Sequence, residues 1–184
     1  MECPLSHPIP QIPQFPVALA ALLRAVPLAP LSVSLTAVSR SIARRHPGLF
    51  RRLGPYSQTV FVLDPTDLPL VILLDPNDGV PRVTLARGRG EGAARIAGPL
   101  AALLGLVHGA FDGDALFFSR DLVIEGDTSA ALALRNAVDD AELDLSLEIS
   151  RFCGPMKGPL QRVIMLLERH CGVSLTRAAE GAIR

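Results

Sequence analysis

The sequence predicts an α+β domain, a small sheet with helices packed against it. Short strand-like runs follow one another in its middle: Thr59–Leu63, Leu70–Leu74 and Arg82–Leu85. After them, Ile96–Val107 is helical in length and apolar all round, the pattern of a buried helix. Then Asp112–Asp127 reads as two short strands joined tightly, with acidic turns at both ends and a helix directly after. The chain has 184 residues, enough for one domain or one domain with an arm. Hydrophobic residues make up 49% of it, which excludes disorder of the whole chain. With aromatics at 4% and no Trp, that apolar content is mostly Leu, Val, Ile and Ala.

Residues 1–16 are Pro-rich and expected to be extended. Leu19, Leu22, Leu23 and Val26 follow helical spacing, and Pro27 ends that segment. It suits a core helix, a partner-docking arm or a membrane-surface anchor. Leu31, Leu35, Val38 and Ile42 form a second helical stripe, with Arg40, Arg44 and Arg45 off the stripe. Such a basic amphipathic helix fits a membrane surface or a half-buried position with an arginine face. Leu49, Phe50 and Leu53 continue the apolar theme to Gly54-Pro55.

Leu70–Leu74 is apolar without alternation, so both of its faces should be buried. Asp75-Pro76-Asn77-Asp78-Gly79 is a hairpin turn, and Arg82–Leu85 alternates like a strand with one wet face. Gly88, Gly90 and Gly92, with Arg87, Arg89 and Arg95, are expected in a solvated loop; the spacing matches neither a dinucleotide fingerprint nor a P-loop. Asp127 or Thr128 caps a helix running to about Val138. Leu143–Ile149 suits a strand or a helix, and a last strong helix begins near Pro159 with Leu160, Val163, Ile164, Leu167 and Cys171 on its stripe.

Formal net charge is zero, which gives no general case for nucleic acid. Its distribution is uneven. Residues 1–57 carry six arginines against Glu2 alone, and residues 112–148 carry ten acids against Arg120 and Arg135. The basic end suits anionic headgroups or the acidic half of a fold. The three cysteines are widely spaced without a CxxC, against both a zinc site and a disulfide framework. No catalytic motif stands out: Asp112 and Asp114 flank a glycine as turn formers do, and no base lies beside a nucleophile. No catalytic residue, metal or cofactor is therefore expected. The apolar segments are too short or Pro-broken to span a bilayer, and the start lacks a secretory pattern, so a cytoplasmic protein, peripheral on a membrane, is expected.

Phe117-Phe118-Ser119-Arg120-Asp121-Leu122-Val123-Ile124-Glu125-Gly126-Asp127 resembles the signature of the SCP2 (sterol carrier protein 2) domain family. The run from Asp112 to Thr128, with Leu134-Arg135-Asn136-Ala137 beyond it, is similar to the UbiT-type branch, accessory factors of bacterial ubiquinone biosynthesis. Arg45-His46-Pro47-Gly48-Leu49-Phe50 and Asp64-Pro65-Thr66-Asp67-Leu68-Pro69 extend that likeness, which covers roughly residues 30–150. The usual Ser-Gly-Lys turn is Ser119-Arg120-Asp121 here, so a positive-φ turn is not assumed.

The resemblance implies a five-stranded sheet with helices packed on one side around an apolar tunnel. It divides the chain into an arm (1–29), the lipid-binding domain (30–150) and a closing helical segment (151–184). It implies a non-enzymatic role in oxygen-independent ubiquinone synthesis alongside UbiU- and UbiV-type proteins, binding a prenylated quinone intermediate. Alternatives are a carrier of anionic phospholipid such as phosphatidic acid, and a scaffold docking a partner or membrane; a homodimer is left open. The candidate lining is Leu103, Leu104, Phe117, Phe118, Val163, Ile164 and Leu167, with Arg40, Arg44 and Arg45 for headgroup or membrane contact. Strand alternation sends Phe117 and Phe118 to opposite faces, so only one of them readily points inward.

Overall fold

A computed structural model of the chain describes residues 15–108 and 122–141. Helix α1 (Val17–Leu23) leads into the long α2 (Leu28–Arg45), the short α3 (Pro47–Arg51) and a 3-10 turn at Gly54–Tyr56. Strands β1 (Phe61–Pro65), β2 (Val71–Asp75), β3 (Arg82–Ala86) and β4 (Ala94–Gly98) follow. Helix α4 (Leu100–His108), strand β5 (Val123–Gly126) and helix α5 (Thr128–Ala141) complete the described residues.

The five strands form one mixed sheet in the order β3-β2-β1-β4-β5. β1 and β4 are parallel, and every other neighbouring pair is antiparallel. Because side chains alternate along a strand, register alone assigns the two faces. One face carries a row running Leu85, Ile72, Leu63, Ile96, Ile124, and a second row running Val83, Leu74, Phe61, Ala94. On this face lies the core: Phe61 and Ile96 are fully buried with Ile42, Phe50, Leu53, Ala102, Leu103, Ala131 and Leu134 from the helical segments. Burying such side chains is worth roughly 1.5–3 kcal/mol each, which holds the helices on this side.

The other face carries Val62, Val71, Leu73 and Ala97 beside Asp64, Arg95, Thr84 and Arg82. The connection from β3 to β4 must pass β2 and β1, and it crosses on this face. A side chain at Gly90 would come within 2.7 Å of Leu73 and 3.2 Å of Val71, and one at Gly92 within 2.7 Å of the Val60 carbonyl. The glycines let backbone lie flat on the sheet. The loop expected to be solvated is therefore a cover for Val62 and Val71, both buried. This is why β2 reads as apolar throughout: helices cover one side and the glycine crossover the other.

The expected helix over Ile96–Val107 is corrected at its start. Ala94–Gly98 is a strand, and the helix begins at Leu100. Pro99 separates them, and the Asp67 carboxylate accepts from the Leu100 amide at 2.9 Å, capping the new helix from the β1–β2 turn. Arg95, placed in the loop by sequence, lies in β4. The expected first strand of the 112–127 stretch, the 143–149 segment and the last helix lie outside the described residues.

Candidate lipid-binding face

Ile124-Glu125-Gly126-Asp127 can be followed atom by atom. Ile124 points to the helical side and packs against the core. Glu125 points the other way and accepts from Arg95 Nη1 at 2.6 Å, while Arg95 Nε donates to Asp64 at 3.0 Å. These bonds raise the Arg95 guanidinium above its ordinary value, Asp64 first and Glu125 second. Gly126 has φ +82°, and a side chain there would collide with the Ala93 carbonyl. Asp127 accepts from the Ser129 and Ala130 amides at 2.9 and 3.0 Å, an N-cap for α5. These residues build the corner joining β5 to α5 and contribute one apolar side chain to the sheet's inner face.

That face holds the candidate site. The row Leu85, Ile72, Leu63, Ile96, Ile124 crosses all five strands and is aliphatic throughout. Ile96 is fully buried and Leu85 nearly so, but Ile72, Leu63 and Ile124 are only part-buried. Helix α4, packed on β1, β4 and α5, brings Leu103 into the core and leaves Leu104 part-buried. Leu103 thus shares a cluster with Ile96 of the row, whereas Leu104 is not among the residues packed against that cluster. Phe117, Phe118, Val163, Ile164 and Leu167 lie outside the described residues. Sequence reasoning missed Leu63, Ile72, Ile96 and Ile124 as a set, because only the register shows that they align. Their signal was branched aliphatics at one phase of each strand.

The arginines separate. Arg40 and Arg44 line a groove of about 540 Å³ between α2 and β3, together with Arg82, Thr36, Thr84 and Val33. Arg45 lies outside that groove, and its Nη2 donates to Ser41 Oγ at 2.8 Å. Arg82 was missed as a partner of this group, although its place on the wet phase of an alternating strand was the available sign. The β2–β3 turn is held separately: Asp78 accepts from Ser57 Oγ and Gln58 Nε2, each at 2.7 Å. Those two hydrogen bonds, Ser57 foremost, hold the Asp78 carboxyl below its ordinary 3.8.

Among the described residues no group of His, Cys, Asp or Glu could hold a metal ion. No helix among them is long and apolar enough to cross a membrane.

The sequence model of the SCP-2 sterol transfer family matches residues 41–139, more than half of the chain. The chain belongs to that family. The match spans the sheet and reaches into α5, so the SCP2 domain contains the row, the glycine crossover and the Ile124–Asp127 corner. Among solved structures, the fold is similar to "UbiJ-SCP2 Ubiquinone synthesis protein": TM-score 0.51, 18% identity, 64% of this chain and 96% of that one covered. A crystal structure of sterol carrier protein 2 has TM-score 0.43 and 18% identity, covering 58% and 94%. Sterol carrier protein 2 from Yarrowia lipolytica has TM-score 0.41 and 16% identity, covering 59% and 89%. No curated protein sequence matches. The expected α+β class and five-stranded sheet with helices are borne out by the first of these structures and by the strand order itself.

Proposed function

We propose that this SCP2 protein is a non-enzymatic lipid-binding accessory factor of oxygen-independent ubiquinone biosynthesis. Its ligand is a prenylated quinone intermediate, held by its tail and presented to the enzymes that modify its ring. The observation that carries the reading is the aliphatic row across five strands with Ile72, Leu63 and Ile124 incompletely covered. A solid core would bury such side chains fully; a carrier needs apolar surface that a tail can complete, at about 0.8 kcal/mol per methylene. Family membership supports lipid handling. The fold likeness to a structure named as a ubiquinone synthesis protein supports the pathway, and the 112–137 resemblance supports a UbiT-type factor working with UbiU- and UbiV-type partners.

In this reading residues 30–150 hold the lipid, 151–184 close the domain, and 1–29 form an arm. The protein works in the cytoplasm, peripherally on the inner membrane. Native mass spectrometry of the purified chain after incubation with bacterial lipid extract tests it. A bound prenylated quinone precursor is expected. Phospholipid alone would keep the carrier and remove the quinone, and no bound lipid would remove both.

A further inference from the structure

Residues 15–26 are held to the domain at two points. At one end the Phe15 amide donates to Asp67 Oδ2 at 2.9 Å. At the other, Arg87 Nη2 donates to the carbonyls of Arg24 and Val26, at 2.7 and 2.9 Å. Those carbonyls lie just past the end of α1, where helical carbonyls lack partners of their own and a cation is favoured. Between the two clips the contact is poorly filled. A cavity of about 340 Å³ separates α1 from the β1–β2 turn, with Ala20 and Ala21 on the helix side and Leu68 and Pro69 on the turn. Val17 is 85% exposed, and Arg24 and Ala25 are exposed as well. A segment held by hydrogen bonds and short of apolar contact opens at low free energy.

Asp67 also caps α4. Its Oδ1 accepts from the Leu100 amide at 2.9 Å while Oδ2 holds Phe15, so one carboxylate serves the arm and the first turn of α4 together. The turn that carries Asp67 is fixed without the arm. Thr66 donates to the Gly98 carbonyl and Leu68 to the Pro65 carbonyl, each at 2.9 Å. Seating the arm therefore restrains the carboxylate and not the turn, and a restrained carboxylate holds Leu100 at a smaller entropic cost. Linkage is reciprocal, so releasing either amide weakens the hold on the other. Because α4 carries Leu103 into the cluster that contains Ile96, the link reaches the aliphatic row.

We infer that residues 15–26 are a releasable strap clipped by Arg87 and Asp67, and that the Asp67 carboxylate couples its release to the first turn of α4. The inference stands apart from the lipid-carrier reading, since the strap and its coupling are read without any lipid.

Limited trypsin digestion of the full chain, paired with hydrogen exchange, tests it. Arg24 is the first basic residue of the sequence, so release of the 1–24 peptide, read by mass spectrometry, reports the Arg24–Ala25 bond alone. Arg87 holds the carbonyl of that bond. Arg87 is exposed, so its two hydrogen bonds together are worth about tenfold in the opening equilibrium, and Arg87→Ala should speed release of the peptide by about that factor. Exchange at the Leu100 amide should accelerate in the same variant, while the Ile96 amide in β4 keeps its protection. In an Asp67→Asn background a single acceptor oxygen remains for two amides. There Arg87→Ala should still speed cleavage but no longer change exchange at Leu100.

Equal cleavage of the native chain and Arg87→Ala would overturn the strap. Faster cleavage with unchanged exchange at Leu100 would overturn the coupling, as would an Arg87→Ala effect on Leu100 that persists in the Asp67→Asn background. Equal acceleration at Leu100 and Ile96 would replace the inference with a general loosening of the fold.

Discussion

At Gly126 the backbone is left-handed, and the Ala93 carbonyl occupies the space a methyl group would need. Gly126→Ala must therefore take an unfavourable φ and also push β4 aside. A cost of at least about 2 kcal/mol is expected, read as a lowered urea midpoint at unchanged slope. Gly48 is the comparison: it lies in α3 with nothing near it, so Gly48→Ala should be neutral or stabilise by about 0.5–1 kcal/mol. Asp78 gives a pH signature. Its folded value lies below the ordinary 3.8 because Ser57 and Gln58 hydrogen-bond the ionised form. A depressed carboxylate stabilises fully above its unfolded value, and that contribution fades as pH falls from there through the folded value. Urea midpoints of the native chain and Asp78→Asn should differ at neutral pH and converge in strong acid; a constant gap would contradict the assignment.

Between α2 and β3 an element protects another by side-chain chemistry. In β3, Val83 and Leu85 stand opposite Leu74 and Ile72 of β2 but turn their amides outward, Val83 its carbonyl as well, which on a bare edge invites association with another chain. Thr36 answers both groups of Val83, accepting at 3.0 Å and donating at 2.9 Å, and Ser32 accepts from Leu85 at 2.9 Å. Thr36→Val keeps the shape and strands two polar groups, so about 1–3 kcal/mol should be lost. Hydrogen exchange at the Val83 amide should accelerate with it; unchanged protection there would refute the role. The amphipathic character of α2 was legible because Val38 and Ile42 repeat at helical spacing. The hydroxyl stripe was not, since Ser and Thr on a helix look solvent-facing until the edge beside them is known. β4 was hidden for another reason. Ala94-Arg95-Ile96-Ala97-Gly98 has few β-formers, and its apolar tail runs on into α4 across one proline. Gly98-Pro99 marked the break, but no local pattern says that the preceding residues pair in parallel with β1.

Across the whole molecule, the sheet has two differently used faces. Strand composition pointed to burial of both faces of β2, which the structure meets in part, with Val71 buried and Ile72, Leu73 and Leu74 part-buried, and the sequence could not say what lies over them. The glycine crossover belongs to long-range topology, and so does the alignment of Leu85, Ile72, Leu63, Ile96 and Ile124. Of the candidate lining named from sequence, the apolar stretch of α4 was legible as buried, and Leu103 lies in the core cluster. A packed core and a lipid floor differ in how they respond to added bulk at the part-buried positions. If the row is floor, Ile72→Phe fills space that the ligand tail uses. Losing contact with two or three methylenes, at about 0.8 kcal/mol each, should weaken lipid binding about tenfold or more. Stability should change little. If the row is packed core, the same ring has no room, so about 1–3 kcal/mol of stability goes and lipid occupancy does not follow the ring's size. Val123 supplies the control: it neighbours Ile124 in β5, faces the opposite side and is half exposed, so Val123→Phe should leave both quantities unchanged. Urea midpoints and displacement of a fluorescent lipid, measured on the same three proteins, separate the outcomes. A destabilised Ile72→Phe with unaltered lipid affinity would remove the row from the binding site.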